Sequence, residues 1–418
     1  MKVVYPTCCG IDVHKSFLVA TVITSDSIKP KYFKKRFSTF NNSLKKLKDW
    51  LLEFNCLDIC MESTGKYWIP VYNILEDTCN VTIANPKWVR AIQGQKDDVK
   101  DSKWIAELFR LGLVPGSFIP EKPIRILREF TRYRSKITNC NCSEKNRFQN
   151  AFTVCNVALD SVVSDMFGVS AKAITNYLIT SDTFDSEVCT SLLKTSLKKK
   201  ADIVLDSIQG YSMESAQKDR MLLIRNHLNY TEQMLEIIDS KLDELILPYE
   251  NAISLLCSIP GVGRRSAITI ISEVGIDMSY FRNSKRLCSW AGLTPSNNQS
   301  AGKKKSVKVS RAGVYLKPAL VQVAHAAVRS NQNPYYKIKY KRISKRRGKK
   351  RAIIAIARML LTAIFHMLLT GELFNPCDLF KFDMPEEMLE RQKKKAINNA
   401  IKLLNREGLI NNLEALAT

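Results

Sequence analysis

Histidine is scarce, with four in 418 residues. The twelve cysteines are scattered, and none forms a CxxC pair. That excludes both the dense framework of a disulfide-stapled fold and the usual ligand set of a structural zinc site. No apolar run of the signal-peptide kind follows Met1-Lys2-Val3-Val4-Tyr5-Pro6, so reduced, cytosolic thiols are expected. Acidic residues are missing from one long stretch: no Asp or Glu occurs between Met278 and Gly371. Long apolar runs are rare too. Ala352 to Thr370 approaches the length of a membrane span, but it carries Arg358 and His366, both costly in lipid. A buried helix of a large domain is therefore expected, and no membrane partner. There is no internal repeat.

What is abundant is positive charge. Sixty-four Lys and Arg stand against 40 Asp and Glu, a net +24. Such an excess points to a polyanionic partner. Hydrophobic residues at 45% and charged residues at 25% exclude a mainly disordered chain, and the length suits two or three domains.

The first 122 residues read as an α/β domain. Cys8–Val13, Phe17–Ile23 and Tyr32–Phe37 are expected strands, rich in Val, Ile and Phe. Asn41–Phe54 is an expected helix, Leu57–Met61 a buried strand, Tyr67–Glu76 a helix and Val81–Ala84 a strand. A further helix from Val99 to Leu113 is expected to turn Trp104, Ile105 and Leu108 inward. Hairpin-connected strands followed by βα units predict one mixed sheet covered by helices.

Residues 123–250 change to long helices. Met221, Leu228, Leu235 and Leu242 recur every seven positions, with Ile224, Thr231, Ile238 and Leu245 in the second register. This a/d seam predicts either a self-associating coiled coil or an intramolecular hairpin with Ile126–Cys155. Residues 251–374 form the acid-poor basic domain, and 375–418 a helical tail that regains Asp378, Asp383, Glu386, Glu387 and Glu390.

Four acids in the first domain stand out. Asp12 lies in the opening strand, and Glu62 follows the buried run at residues 57–61. Asp98 and Asp101 are three apart at a helix start, hence on one face. An acid beside a buried strand is costly unless compensated. Magnesium, which takes carboxylate oxygens, water and phosphate oxygens, is the natural compensator. Each acid alone also has a plain reading, the helical pair as N-terminal dipole partners and Asp12 as a turn residue. A strand Asp, a strand-end Glu and a helical Asp pair make a ribonuclease-H-like, RuvC-like pattern.

In the basic domain, Ile259-Pro260-Gly261-Val262-Gly263-Arg264-Arg265 reads as the turn of a helix–hairpin–helix. Its glycines and following N–H groups suit a phosphate, although an ordinary helical connection fits as well. The stretch from Trp290 to Gly313 is a polar loop with Lys303, Lys304, Lys305, Lys308 and Arg311 as phosphate contacts. On composition, Ser300 is one more hydroxyl donor among them. From Lys337 to Arg351, Tyr340 sits among Lys345, Arg346, Arg347 and other cations. Basic residues with interleaved aromatics suit nucleic acid.

Six blocks in order now resemble one family: Gly10-Ile11-Asp12-Val13-His14-Lys15, Met61-Glu62-Ser63-Thr64-Gly65, Lys96-Asp97-Asp98-Val99-Lys100-Asp101, Ile259-Pro260-Gly261-Val262-Gly263, Ala291-Gly292-Leu293-Thr294-Pro295 and Gln299-Ser300-Ala301-Gly302-Lys303. They resemble the DEDD-type insertion-sequence transposases, bridge-RNA-guided recombinases with a RuvC-like N-terminal domain and a serine-bearing C-terminal transposase domain. The likeness spans residues 7–120 and 253–372. It implies that Asp12, Glu62, Asp98 and Asp101 bind magnesium. It implies further that Ser300 joins double-stranded DNA covalently, that a structured guide RNA takes part, and that the protein works as a homodimer or tetramer. Ala301 stands where many relatives have Gly, and Arg311 where many have Lys. Ser296, Ser306 and Ser310 are rival hydroxyls. The alternative activity is a metal-dependent junction nuclease with no covalent intermediate.

Overall fold

A computed structural model describes residues 2–25, 30–63, 65–89, 98–181, 183–295, 298–300, 303–306, 308–330 and 334–376, with 394, 397 and 398. Two compact units divide the chain, Met1–Glu121 and Lys122–Thr418.

The first unit is built on β1 (Cys8–Val13), β2 (Phe17–Thr24), β3 (Lys31–Ser38), α1 (Asn41–Glu53), β4 (Asp58–Glu62), α2 (Trp68–Leu75), β5 (Asn80–Ala84), α3 (Pro86–Val89) and α4 (Asp98–Arg110). The five strands form one sheet in the order β3-β2-β1-β4-β5. β2 is antiparallel to β1 and β3, whereas β1, β4 and β5 run parallel. This mixed sheet under helices is consistent with the RuvC-like fold.

Period-two alternation divides the sheet between two cores. Cys9, Ile11, Val13, Ile59 and Met61 point to one face and pack with Leu44, Leu47 and Leu51 of α1 and Val71 and Leu75 of α2. Cys8, Cys60 and Ala84 point to the other and pack with Ile105, Ala106 and Phe109 of α4. Trp104 corrects the expectation for this helix: its side chain is 36% exposed. The inward stripe is Ser102, Ile105, Ala106 and Phe109, which leaves Trp104 on the helix flank.

The second unit is helical. Its elements are α5 (Lys122–Val154), α6 (Val169–Thr180), α7 (Ser186–Ser191), α8 (Ala201–Asp206), α9 (Ser215–Leu245), α10 (Glu250–Cys257), α11 (Arg264–Val274), α12 (Ser284–Trp290), α13 (Leu316–Arg329), α14 (Tyr335–Arg347) and α15 (Lys349–Thr370). A short hairpin, β6 (Asn298–Ser300) and β7 (Lys303–Ser306), interrupts them. The stretch read as a loop thus contains two paired antiparallel strands, with a register irregularity between Asn298 and Gln299.

The seam of α9 is filled inside the chain. Met221, Ile224, Leu228, Thr231, Ile238 and Leu242 are buried, and α5 and α9 pack along each other. The one polar seam residue is satisfied by α5: Asn141 Nδ2 donates to Thr231 Oγ1 at 2.9 Å. Three guanidiniums fasten α5 to its neighbours. Arg134 grips Asp239 of α9 at 2.5 and 3.0 Å, and Arg132 grips the buried Glu273 of α11 at 2.7 and 2.8 Å. Arg128 donates to the carbonyls of Ser272 and Glu273, two of the last in α11, at 2.9 and 2.7 Å.

By length and composition, α15 alone among the described residues could cross a membrane. Half of its apolar window is buried within the unit, against α12, α13 and α14.

Candidate functional site

The sheet brings two of the four acids side by side. Ile11 and Met61 are the last paired residues of β1 and β4, and Asp12 and Glu62 follow them by one position. Alternation turns both onto the α4 face, opposite the core of Ile11 and Met61. The direction of α4 brings the other two to the same end. The carbonyl of Arg110 accepts from Val4 N at 2.9 Å, before the start of β1. Ala106 and Ser102 lie over Gly10, and Thr21 Oγ1 bonds Ser102 Oγ at 2.8 Å. The helix therefore runs back along β1, and its first turn, bearing Asp98 and Asp101, lies toward Asp12.

Gly10 makes this approach possible. A Cβ there would stand 2.3 Å from Ala106 N and 2.4 Å from Ser102 O, both backbone atoms. Among the described residues no three His, Cys, Asp or Glu side chains gather closely enough to hold a metal. The side chain of Asp98 lies outside those residues. The donor set is all carboxylate oxygen, which suits a hard divalent ion rather than zinc.

His14 was not singled out from the sequence. Its Nε2 lies 3.1 Å from Asp12 Oδ2, and its ring stacks on Phe17 at 4.6 Å. The His two positions after the strand Asp was the available signal. The thiols on the same sheet, and Cys56 just before β4, are poor nucleophiles. Burial pushes Cys8 and Cys60 up to about 12, and Cys9 and Cys56 well above the ordinary range. All eleven described cysteines are free.

In the second unit, Ser300 closes β6 opposite Lys303 of β7. Its side chain, those of Lys303, Lys304 and Lys305, and all of Ala301 and Gly302 lie outside the described residues, as does Ser296. The base of this excursion is clamped. A Cβ on Gly292 would meet the Ala312 carbonyl at 2.6 Å, one on Gly313 the Ala291 carbonyl at 2.3 Å, and Pro295 bridges Val309. Two rival hydroxyls serve turns: Ser306 Oγ accepts from Lys308 N at 3.2 Å, and Ser310 Oγ from Ala312 N at 3.3 Å.

The PGVG turn joins α10 to α11, with Gly263 at the N-cap. Gly261 serves packing there. At φ +85°, a Cβ on it would stand 2.4 Å from Ala327 N of α13. Gly263 has nothing within 4 Å of that position and is open to a ligand. Arg264 and Arg265 are committed to acids. Arg264 holds Glu250 at 2.5 and 3.0 Å, and Arg265 reaches Asp239 at 2.8 Å. Both arginines line a 790 Å³ cleft with Arg132 and Arg134, cations the sequence reading missed because they lie on the predicted spacer helix.

A larger groove, 1350 Å³, runs along α15. Ile354, Met359 and Ala363 form its apolar floor, and Lys308, Arg347, Lys350 and Arg358 contribute positive charge. The structure thus brings two expected phosphate contacts, Lys308 and Arg347, to one groove. Lys345 and Arg346 are exposed on the last turn of α14, and Arg311 is exposed as well.

Known families match both parts. A model of DEDD-type IS110 transposases matches residues 9–156, and the Transposase IS116/IS110/IS902 family model matches residues 253–341. Both are transposase families, and together they cover more than half of the chain. The chain belongs to the IS110 family of DEDD-type transposases. It is also similar to the pilin gene-inverting proteins of Moraxella bovis and Moraxella lacunata. Identity to each is 33% over 131 residues, which is 29% of this chain and 38% of the relative. The chain thus spans well under half the length of the curated relatives it matches.

Proposed function

We propose that the protein is a DNA recombinase of an insertion sequence, cutting and rejoining double-stranded DNA through a phosphoserine. The observation that carries this reading is the position of the two family matches. One covers Asp12, Glu62, Asp98 and Asp101, and the other covers Ser300 and its cationic surroundings. Relatives named for inverting a pilin gene support it, since inversion is recombination.

In this reading Ser300 Oγ attacks a phosphodiester phosphorus. One P–O bond forms as the bond to the departing strand end breaks, and that end leaves as a hydroxyl. The bond energy stays in the protein–DNA link, so rejoining needs no ATP. Asp12, Glu62, Asp98 and Asp101 hold magnesium, which when bound stabilises charge on the phosphate. His14 keeps the Asp12 carboxylate oriented. Lysines 303–305 and Lys308 draw the backbone phosphate toward the hairpin, where proximity lowers the barrier. A structured guide RNA selects the DNA, held on the cationic surface of the second unit, and two or four copies act together.

The test is denaturing electrophoresis of the protein with labelled DNA, magnesium and the RNA encoded beside its gene. A covalent adduct should form with the parent, be absent in Ser300→Ala, and persist in Ser306→Ala and Ser310→Ala. Magnesium-dependent cutting by the parent with no adduct would establish the junction-nuclease reading instead. An adduct surviving Ser300→Ala would move the nucleophile elsewhere.

A further inference from the structure

The groove along α15 has two characters. Ile354, Met359 and Ala363 recur at helical spacing and make an apolar floor, while Arg347, Lys350, Arg351 and Arg358 bring cations to it. Among the described residues none of these four cations makes an ion pair, and Glu372 is the one acid in the lining. A nucleic-acid backbone would satisfy the cations but leave the apolar floor bare. An occupant that satisfies both must carry large apolar side chains interleaved with acids.

The chain itself leads such a segment to the groove. α15 stops at Gly371, in the left-handed conformation at φ +75°, and the chain turns back. Phe374 is pinned at the groove's end: its N–H donates to Ser258 Oγ at 3.1 Å, and its ring stacks on Tyr336 at 5.8 Å. Leu373 to Pro376 already line the groove. The next fourteen residues, 377–390, carry five acids (Asp378, Asp383, Glu386, Glu387 and Glu390) against the single Lys381. Between the acids stand Leu379, Phe380, Phe382, Met384, Met388 and Leu389. Acidity is confined to this stretch, since Arg391 and Lys393 to Lys395 follow it. Its reach suffices. From Thr370 back to Arg351, α15 measures about 28 Å. Fourteen residues reach about 46 Å when extended.

We propose that residues 377–390 dock in the α15 groove of their own chain and shield its cations from nucleic acid. The Phe, Leu and Met side chains cover the apolar floor, and the acids face Arg358 first and then Arg351, Lys350 and Arg347. Tethering at Pro376 sets an effective concentration on the order of millimolar, so individually weak contacts are enough. Nucleic acid and the segment compete for the same cations, and binding at the groove requires the segment to leave. The docking does not rest on the serine chemistry: a missing Ser300 adduct leaves it standing, and a failure here leaves the adduct test untouched.

The experiment has two arms, both on the full chain freed of nucleic acid. In the first, the photo-crosslinker p-benzoylphenylalanine replaces Phe382, and mass spectrometry maps its products. Benzophenones insert readily into methionine C–H bonds, so links to Met359 or Met367 of the groove are expected. In a mixture of isotope-labelled and unlabelled protein, both halves of each link should carry the same label. The charge reversal D383K/E386K/E387K should lose the link. No link to the groove, a link that survives the reversal, or links joining labelled to unlabelled chains would each overturn the docking. The second arm measures affinity for duplex DNA in F380S/F382S, which alters no charge. With the segment seated in about nine chains of ten, its release raises apparent affinity about tenfold. A link in the first arm with unchanged affinity in the second would overturn the shielding.

Discussion

Gly10→Ala tests how the acids are positioned. The new methyl would lie 2.3 Å from Ala106 N, 2.4 Å from Ser102 O and 2.8 Å from Ala106 Cα. All three are backbone atoms, so no side chain can swing aside. Ordinary contact begins near 3.4 Å, and α4 must retreat from β1 by about 1 Å. Overpacking of this kind costs about 1–3 kcal/mol. Stretching the buried Thr21–Ser102 hydrogen bond adds about 1 kcal/mol. The sum, about 2–4 kcal/mol, corresponds to a Tm lower by on the order of 10 °C for a unit of this size. Recombination should fall further than stability does, because the retreat carries Asp98 and Asp101 away from Asp12, and a 1 Å misplacement costs about 10²-fold in rate. Gly116→Ala is the control, since its nearest neighbour is the tip of Thr82 at 3.3 Å. Calorimetry of the full chain and a recombination assay give the two readouts. If Gly10→Ala matches the parent in both, the close packing of α4 on β1 does not position the acids.

Hydrogen bonding from Arg134 holds the Asp239 carboxyl below the usual carboxylate range, partly opposed by burial and helped by Arg265. A depressed folded pKa means stability that is complete above about pH 4 and lost as pH falls through the folded value. Asp239→Asn should therefore lose less stability than the parent between pH 5 and pH 3 in urea titrations, and equal losses would refute the assignment. Affinity for duplex DNA should fall steeply as salt rises. Replacing Lys345, Arg346 and Arg347 by Gln should flatten the log–log slope by about 0.9 for each phosphate no longer neutralised, and an unchanged slope would remove α14 from the interface.

The sheet was legible because its signals are local. Val- and Ile-rich runs with strand periodicity predicted five strands, and the observed boundaries differ by a residue or two. Asp12 and Glu62 could be read as strand-end acids, but their adjacency could not, since it depends on β1 lying beside β4 across α1. The heptads of α9 were equally visible. Whether α5 or another chain fills that seam is a tertiary question, decided by packing that includes Asn141 meeting Thr231. Trp104 was misplaced because a large apolar side chain weighs heavily in a stripe estimate. The close fit over Gly10 fixes a rotation of α4 that puts Ser102 and Ala106 inward. His14 escaped notice because a single His carries little signal until its partner is known.

The cationic surface shows how charge and interface part company. Arg264 and Arg265, beside the PGVG turn, look from the sequence like the strongest phosphate contacts. Yet Glu250 and Asp239 already hold them, and Gly261 is spent on α13. A phosphate arriving at the start of α11 must displace a carboxylate or share a guanidinium with it. Exchanging one anionic partner for another gains little beyond released counterions. What α11 offers without such an exchange is the open N-cap at Gly263 and the N–H groups of its first turn. The last turn of α14 differs: Lys345, Arg346 and Arg347 are successive, exposed, and followed by Lys349, Lys350 and Arg351 at the start of α15. No acidic residue lies near them in sequence, because none occurs between Met278 and Gly371. Neutralising that cluster with phosphate relieves mutual repulsion within the protein as well as releasing counterions from the nucleic acid. A phosphate would therefore gain more per charge at the acid-poor stretch than at the start of α11.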